Sequence, residues 1–530
     1  MKLRSVLKIA TITSVVLLCI GFVVLFYFRM TKVEKAEDFD LYSIVPSNAI
    51  AIVDSDNVVD LLKGINELSY SNTEGLSDIS ILFSQLKEYI NTLLSETPHG
   101  FSRQMSKMLI SFHEPDNNRN QVFYCRLGVG DKDVVDRFIK KYCESSFPSK
   151  YFDYKGEEIS IYSMPDDSFL ACYITSDFMV VSYQKKLIEQ VIDSKLSKKS
   201  ILNDPGFSPK RTTARNQHPA IVHLRMSSIN IGKDSLKTCV GGWTEFSLKI
   251  NSDIMYFAGV NHTQDSTVTF MNVLKNQKPV ENLSGDILPA STFYIKRHSV
   301  ADLESIFEFT SMGKEDQSQM LYIKDKNREL MSYLNEHAKN SATTCIFYPS
   351  DSVFNTCMVI NIPVTNQIRA ERFLRNLSTN TVTGTHTIYS LPENTLLSQL
   401  TGTSNSSTLS YACFYKGSML VGLDNNSILA YIDNIEKGNT LEADVMYEET
   451  KANLSDLYSF LLIADLGEIK KQPTEYSSLV PNFFFRNSNF FENFILSSQF
   501  TCVDSIVYPN VVLLYKEKAF PSSAQAAVIQ

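Results

Sequence analysis

Val45–Leu61 reads V-P-S-N-A-I-A-I-V-D-S-D-N-V-V-D-L, and Leu288–Leu303 reads L-P-A-S-T-F-Y-I-K-R-H-S-V-A-D-L. Each stretch opens on an apolar residue and a proline, runs through an apolar segment of strand length, and closes on a helix start. More echoes follow in the same order. Asp136-Arg137-Phe138-Ile139 answers Glu371-Arg372-Phe373-Leu374, and Ile161-Tyr162-Ser163-Met164-Pro165 answers Ile388-Tyr389-Ser390-Leu391-Pro392. Ala171-Cys172 answers Ala412-Cys413, and Met179-Val180-Val181 answers Met419-Leu420-Val421. The sequence thus predicts two homologous units, residues 37–280 and 281–518, with Pro46 falling on Pro289, Phe138 on Phe373, and Cys172 on Cys413.

Within each unit short strands alternate with helices. Ala49–Val53 is an apolar run, and Asn57 is placed to cap a helix from Val58 with Asp60 in its first turn. Ser299 and Asp302 hold the same relative positions in the second unit, which gives the repeated aspartate a structural cause. An amphipathic helix over Ile79–Ser95 carries Ile79, Leu82, Phe83, Leu86 and Ile90 on one stripe, with a counterpart over Gln317–Ala338. Paired strands at Lys107–Phe112 and Gln121–Val129 repeat as Thr343–Tyr348 and Val353–Ile362. Phe138 and Phe373 are the expected core anchors of the next helix in each unit. Two further strands and a helix follow, near Leu170–Ser194 and Leu409–Ile435. Hairpins separated by helices predict an antiparallel sheet with helices packed on it, an α+β layer fold. The polar run Thr401–Thr408 reads as a mobile loop, and residues 519–530 as a disordered tail.

Ahead of both units, residues 1–36 hold a basic tail, a membrane anchor and a juxtamembrane segment. Ile9–Phe28 is twenty residues without a charge. At about 1.5 Å per residue it is about 30 Å of helix, the thickness of a bilayer's hydrocarbon core. No small-x-small cleavage site follows it, and apolar residues continue past Cys19 where a lipobox would end, so it reads as an uncleaved signal anchor. Lys2, Arg4 and Lys8 before it balance Arg29, Lys32 and Lys35 after it. A basic tail with an α-amino group resists translocation, which favours a cytoplasmic N-terminus with the bulk outside.

The chain carries 50 basic and 58 acidic residues, a net charge of −8. That balance argues against nucleic acid as a partner, because phosphate neutralisation needs a basic face. Cys125, Cys143, Cys172, Cys239, Cys345, Cys357, Cys413 and Cys502 form no C-x-x-C pair, and several sit in apolar runs as expected of buried free thiols.

Motif chemistry is sparse. There is no H-E-x-x-H, and His113-Glu114-Pro115 lacks a second ligand a helical turn later; His218 and His223 fall on opposite faces of a strand. Gly128-Val129-Gly130 lacks the third glycine of a dinucleotide fingerprint, and no G-x-S-x-G elbow is present. Glu157-Glu158 and Asp166-Asp167 sit in turn contexts. No catalytic, cofactor-binding or metal-ligating residue is predicted, and no cofactor is implied. Lys195, Lys198, Lys199, Lys210, Arg211 and Arg215 form a local basic cluster suited to a solvated helix end and loop, or to lipid headgroups or an acidic partner. The strongest binding lead is Phe483-Phe484-Phe485-Arg486-Asn487-Ser488-Asn489-Phe490-Phe491. Its five phenylalanines read either as core or, where exposed, as a partner or lipid site.

The anchor, the opening Ile44–Ala49 (I-V-P-S-N-A), Ser498–Asp504 (S-Q-F-T-C-V-D) and Val507–Asn510 (V-Y-P-N) together resemble a group of bacterial envelope proteins that carry a domain of unknown function. The resemblance implies a single-anchor, extracytoplasmic α+β protein of a Gram-negative-type envelope, and it supplies no activity. The expectation is therefore a periplasmic binding or scaffolding protein, held in the inner membrane by Ile9–Phe28 and partnered, if at all, by another envelope protein. The alternative is an envelope-polymer hydrolase with its site in the cleft between the two units.

Overall fold

The computed structural model describes residues 39–68, 79–96, 105–115, 117–128, 130–142, 148, 150–164, 167–209, 218–229, 241–261, 269–306, 328–349, 355–391, 410–472 and 479–516. The expected anchor Ile9–Phe28, the polar run Thr401–Thr408 and the tail lie outside these residues, as do Lys210, Arg211, Arg215, Cys143 and Cys239. No helix among the described residues is long and apolar enough to cross a membrane.

The first half contributes β1 (Ala49–Ser55), α1 (Val58–Asn66), α2 (Ile81–Glu96), β2 (Met108–His113), β3 (Gln121–Arg126) and α3 (Asp131–Tyr142). It continues through β4 (Lys150–Tyr154), β5 (Glu157–Ser163), β6 (Phe169–Ile174), β7 (Phe178–Ser182), α4 (Lys185–Ser197), β8 (Ala220–Arg225), β9 (Trp243–Ile250), β10 (Ile254–Asn261) and α5 (Phe270–Lys275). After β11 (Val280–Glu281) come β12 (Thr292–Ser299), β13 (Ser341–Phe347), β14 (Cys357–Pro363), α6 (Gln367–Leu377), β15 (Asn380–Thr383), β16 (Thr387–Ser390), β17 (Tyr411–Tyr415), β18 (Ser418–Gly422) and α7 (Asn425–Glu436). The chain ends with α8 (Val445–Ala452), β19 (Leu457–Tyr458), β20 (Phe460–Asp465), α9 (Leu466–Lys471), α10 (Asn482–Arg486), α11 (Ser488–Phe491), β21 (Phe494–Val503) and β22 (Ile506–Tyr515).

Twenty strands form one antiparallel sheet. On the first side they lie in the order β4-β5-β6-β7-β3-β2-β1-β8-β9-β10. On the second the order is β15-β16-β17-β18-β14-β13-β12-β20-β21-β22. β10 pairs with β22, so the two sets join edge to edge at their last strands. Pairing these edges removes the exposed ladder that each would otherwise present. β11 pairs with β19 in a separate two-stranded sheet, so the chain has crossed into the second side before residue 281.

Helices cover both faces. On one face α4 packs on β3, β6 and β7, sealing Leu187, Ile188, Val191 and Ile192 against Ile52, Leu109, Val122 and Tyr124. On that same face α7 seals Ile428, Tyr431 and Ile432 against Ile295, Cys345, Phe347 and Val359. The opposite face carries α1, α2 and α3 over the first side, and residues 303–306, 329–337 and α6 over the second. At the centre of this face a single apolar cluster runs across the seam, joining Leu61, Ile65 and Phe246 to Phe293, Phe460, Phe494 and Leu513.

Local expectations hold in part. Asn57 accepts from the Val59 and Asp60 amides and caps α1. In the second side Asp302 itself takes that role, accepting from Ser305 N–H, while the Ser299 hydroxyl donates to the Lys278 carbonyl. A strand that runs to Ser299 leaves the cap to the next polar residue. Phe373 is half-buried and stacked on Tyr333 at 5.0 Å, with Arg372 exposed. Cys172 and Cys413 do not correspond: Cys172 packs toward α2 and α3, whereas Cys413 packs toward α7. A one-residue offset between two strands exchanges their faces, and a two-letter motif cannot detect it. Cys125, Cys172, Cys345, Cys357, Cys413 and Cys502 are free thiols, all buried except the half-buried Cys502.

Candidate functional site

The aromatic segment lies on the central cluster, beside the strands that make the seam. α10 and α11 meet at Asn487, whose side-chain amide donates to the Phe483 carbonyl at 2.8 Å. Asn487-Ser488 is thus the turn between two short helices. Phe491 is the keystone. It is 4 % exposed, and its ring meets Phe484 and Phe490 edge-on at 4.9 Å and Phe483 at 5.6 Å. Phe490 stacks on Phe494 at 5.5 Å, and Phe494 in turn meets Tyr515. Phe483, Phe484, Phe485 and Phe490 are half-buried, so the segment is core on its underside and aromatic surface on top.

α9 holds the segment down. A Cβ at Gly467 would lie 2.3 Å from the Glu492 carbonyl oxygen, a contact only glycine permits. Lys470 then reaches Glu492 at 2.7 Å and Asn489 at 3.1 Å, while Lys516 pairs with Asp465, the cap of α9, at 2.6 Å. Two ion pairs and one glycine therefore position five rings.

Two polar clusters escaped the sequence reading. Under α4, the Ser111 hydroxyl lies 2.8 Å from His113 Nε2 and 3.1 Å from the Tyr124 hydroxyl. His113 Nδ1 lies 3.1 Å from Asn48 Oδ1, and the Asn48 amide donates to Gln190 at 3.2 Å. Those distances fit one directed chain, from Tyr124 through Ser111 and His113 to the surface. Burial holds His113 down at about 4, so its ring is neutral at pH 7. A serine, a histidine and an amide in this order have the parts of a nucleophile, its base and an orienting group. Ser111 is 0 % exposed, however, and a substrate has no approach to it in this packing.

The second cluster lies within the first side, on β1, β8 and β9. The Tyr42 hydroxyl donates to Asp54 at 2.5 Å and lies 3.0 Å from His223 Nε2. On the other side of that ring, Nδ1 is 3.7 Å from Glu245. Phe207 packs edge-on against His223 and against Trp243, walling the cluster off. Sequence spacing gives no warning of it, because Tyr42, Asp54, His223 and Glu245 come from four separate elements. From Glu245 the same sheet face continues through Ser247, Lys249, Ala258 and Asn510 to Tyr508, with Lys249 and Ala258 exposed and Tyr508 39 % exposed. Among the described residues no group of three His, Cys, Asp or Glu could hold a metal ion.

Of the basic cluster, Lys195 donates to Glu157 at 2.9 Å and to the Tyr173 hydroxyl at 2.5 Å, with its ammonium over the Tyr173 ring. It is a strut between α4 and the sheet. Lys198 and Lys199 are exposed.

Residues 10–238 match the model of one family, described as a protein of unknown function (DUF3352). The match runs from the uncharged stretch through β8. Neither a curated protein nor a solved structure matches the chain. The resemblance to a family of unknown function thus stands over residues 10–238.

Proposed function

We propose that this chain is a binding or scaffolding protein, tethered to the inner membrane by residues 9–28 with its body in the periplasm, and built by internal duplication. The binding reading is carried by the aromatic segment. Five rings are held on a rigid underside, and four of them remain partly open at the surface. Half-buried aromatics on a preorganised support give contact area at little ordering cost, as partner sites require. A photo-crosslinking residue at Phe485 in the full chain tests it. One discrete adduct, lost when Phe484→Ser and Phe490→Ser are combined, is the expected result; no adduct at this position but adducts elsewhere on the surface would overturn it. The tether is tested separately by a reporter fused after Gln530, since activity confined to the cytoplasm would contradict the orientation.

Duplication draws support from details the motifs do not encode. Nine strand pairings recur in the same order on the two sides. The carbonyl before each proline accepts from the turn after α4 or α7: Ile201 N–H to Val45 at 2.8 Å, and Leu441 N–H to Leu288 at 2.9 Å. Superposition of the two sides in an experimental structure, with β1 on β12 and β10 on β22, is the check.

The second reading, an envelope-polymer hydrolase, draws on Asp54, His223 and Glu245, on the adjacent strands β1, β8 and β9 of the first side. Tyr42 already engages two of the three, which favours a structural part for them. Release of fragments from purified envelope polymer by the full chain, abolished by Glu245→Gln, would reverse that preference.

A further inference from the structure

The corner where α4 ends lies next to the point at which the tether enters the body. Phe39, the first described residue, packs on Phe178 at 4.8 Å, and Lys195 of α4 lies 5.8 Å from that same Phe178 ring. Arg126 donates to the Phe39 carbonyl, fixing the entry point. Ten residues, 29–38, separate Phe39 from the uncharged stretch, and fully extended they reach at most about 36 Å. Whatever the tether enters, this corner is near it.

Its surface is unusual in composition. From Lys195 to Asn203 the chain reads K-L-S-K-K-S-I-L-N without an acid. Leu196 is 49 % exposed and Leu202 41 %, with Lys198 and Lys199 exposed between them. The flanking carboxylates are engaged elsewhere: Asp193 by Lys155 at 2.5 Å, and Asp204 by Arg225 at 2.8 Å and Trp243 at 3.2 Å. Among the described residues no carboxylate lies within ion-pair reach of Lys198 or Lys199.

The corresponding corner on the other side, after α7, provides an internal control. The hydrogen bonds to Val45 and Leu288 set Ile201 opposite Leu441, and three residues earlier Lys198 and Gly438 both adopt left-handed backbone, φ 55° and 70°. In this register Leu196, Lys198, Lys199 and Leu202 stand where the second side has Glu436, Gly438, Asn439 and Glu442. Glycine is the unstrained choice at such a helix end, so Lys198 stands there against local backbone preference. Exposed leucines among unpaired lysines match a bilayer surface, apolar groups entering the interface and ammonium groups meeting phosphates.

We infer that this corner, Leu196, Lys198, Lys199 and Leu202, rests on the anionic headgroup surface of the membrane that holds the tether, and so orients the body on it. This rests on the tether proposed above. The test uses the full chain in nanodiscs of phosphatidylcholine with phosphatidylglycerol, in nanodiscs of phosphatidylcholine alone, and in detergent, read by amide hydrogen exchange. Residues 195–203 should exchange several-fold more slowly in the anionic discs only, while residues 435–443 exchange alike in all three. Lys198→Glu with Lys199→Glu should abolish the slowing, as should Leu196→Glu with Leu202→Glu, both with unchanged melting temperature because all four side chains are exposed. Equal exchange in all three media, or equal slowing in both kinds of disc, overturns the assignment. A chain that does not enter discs at all would instead sink the tether.

Discussion

His113 shows how a single residue couples burial to pH. Its ring is held neutral between Ser111 and Asn48, and burial lowers its pKa from 6.5 to about 4. An unfolded chain takes up the proton near pH 6.5, the folded chain only near pH 4. Between those values the unfolded state binds more protons, so stability is complete above pH 6.5 and is lost as pH falls toward 4. A gap of this size corresponds to about 3 kcal/mol. Urea unfolding at pH 7 and pH 4 should show this loss in the unmodified chain and much less of it in His113→Gln. An equal loss in both would assign the acid sensitivity to other groups. Gly467 is the opposite kind of residue, inert to pH and exacting in space. Gly467→Ala drives a methyl into the Glu492 backbone, and α9 must lift off the aromatic segment to relieve it.

Among the elements, α10 and α11 separate what a sequence can disclose from what it cannot. The density of Phe483–Phe491 and the turn at Asn487-Ser488 are both legible, because aromatic content and turn chemistry are local properties. Which ring is core is not legible, since Phe491 owes its burial to Leu466, Ile469 and Phe494 from other elements. Phe491→Ala should therefore cost about 3–5 kcal/mol, as a core aromatic truncation does, whereas Phe484→Ser should cost distinctly less. Thermal unfolding of the two variants decides the matter, and equal losses would mean the whole segment is core. The strands teach the same lesson. Hairpins and their order follow from alternation and turns, and Lys155-Gly156 and Lys416-Gly417 supply the positive φ values their tight turns need. Register between distant strands is set by packing alone, which is why Cys172 and Cys413 look equivalent as letters and face opposite ways. The clusters around His113 and His223 were hidden for that reason: four separate elements converge on each.

At the scale of the molecule the seam decides whether two halves behave as one body. β10 and β22 pair from Ile254↔Leu514 to Ala258↔Asn510 and again, in the same register, at Asn261↔Val507, with Gly259 and Val260 left out of the ladder. The interruption has a cause. Pro509 has no N–H to donate, and its ring fits only because Gly259 has no side chain; a Cβ there would lie 2.8 Å from Pro509 and 2.7 Å from Phe246. A proline in a central strand thus marks the joint. The apolar cluster spans the same seam, so neither half can expose its side of Phe246, Phe460 and Leu513 without uncovering the other's. Area removed from water is lost to both halves at once, which makes separate unfolding costly. Calorimetry of the full chain should accordingly give one transition, with van't Hoff and calorimetric enthalpies in agreement. Gly259→Val should lower that transition as a whole, because it forces Phe246 out of the shared cluster. Two resolved transitions in the unmodified chain, only one of them moved by Gly259→Val, would show instead that the halves are separate beads that happen to touch, and that the seam contributes little.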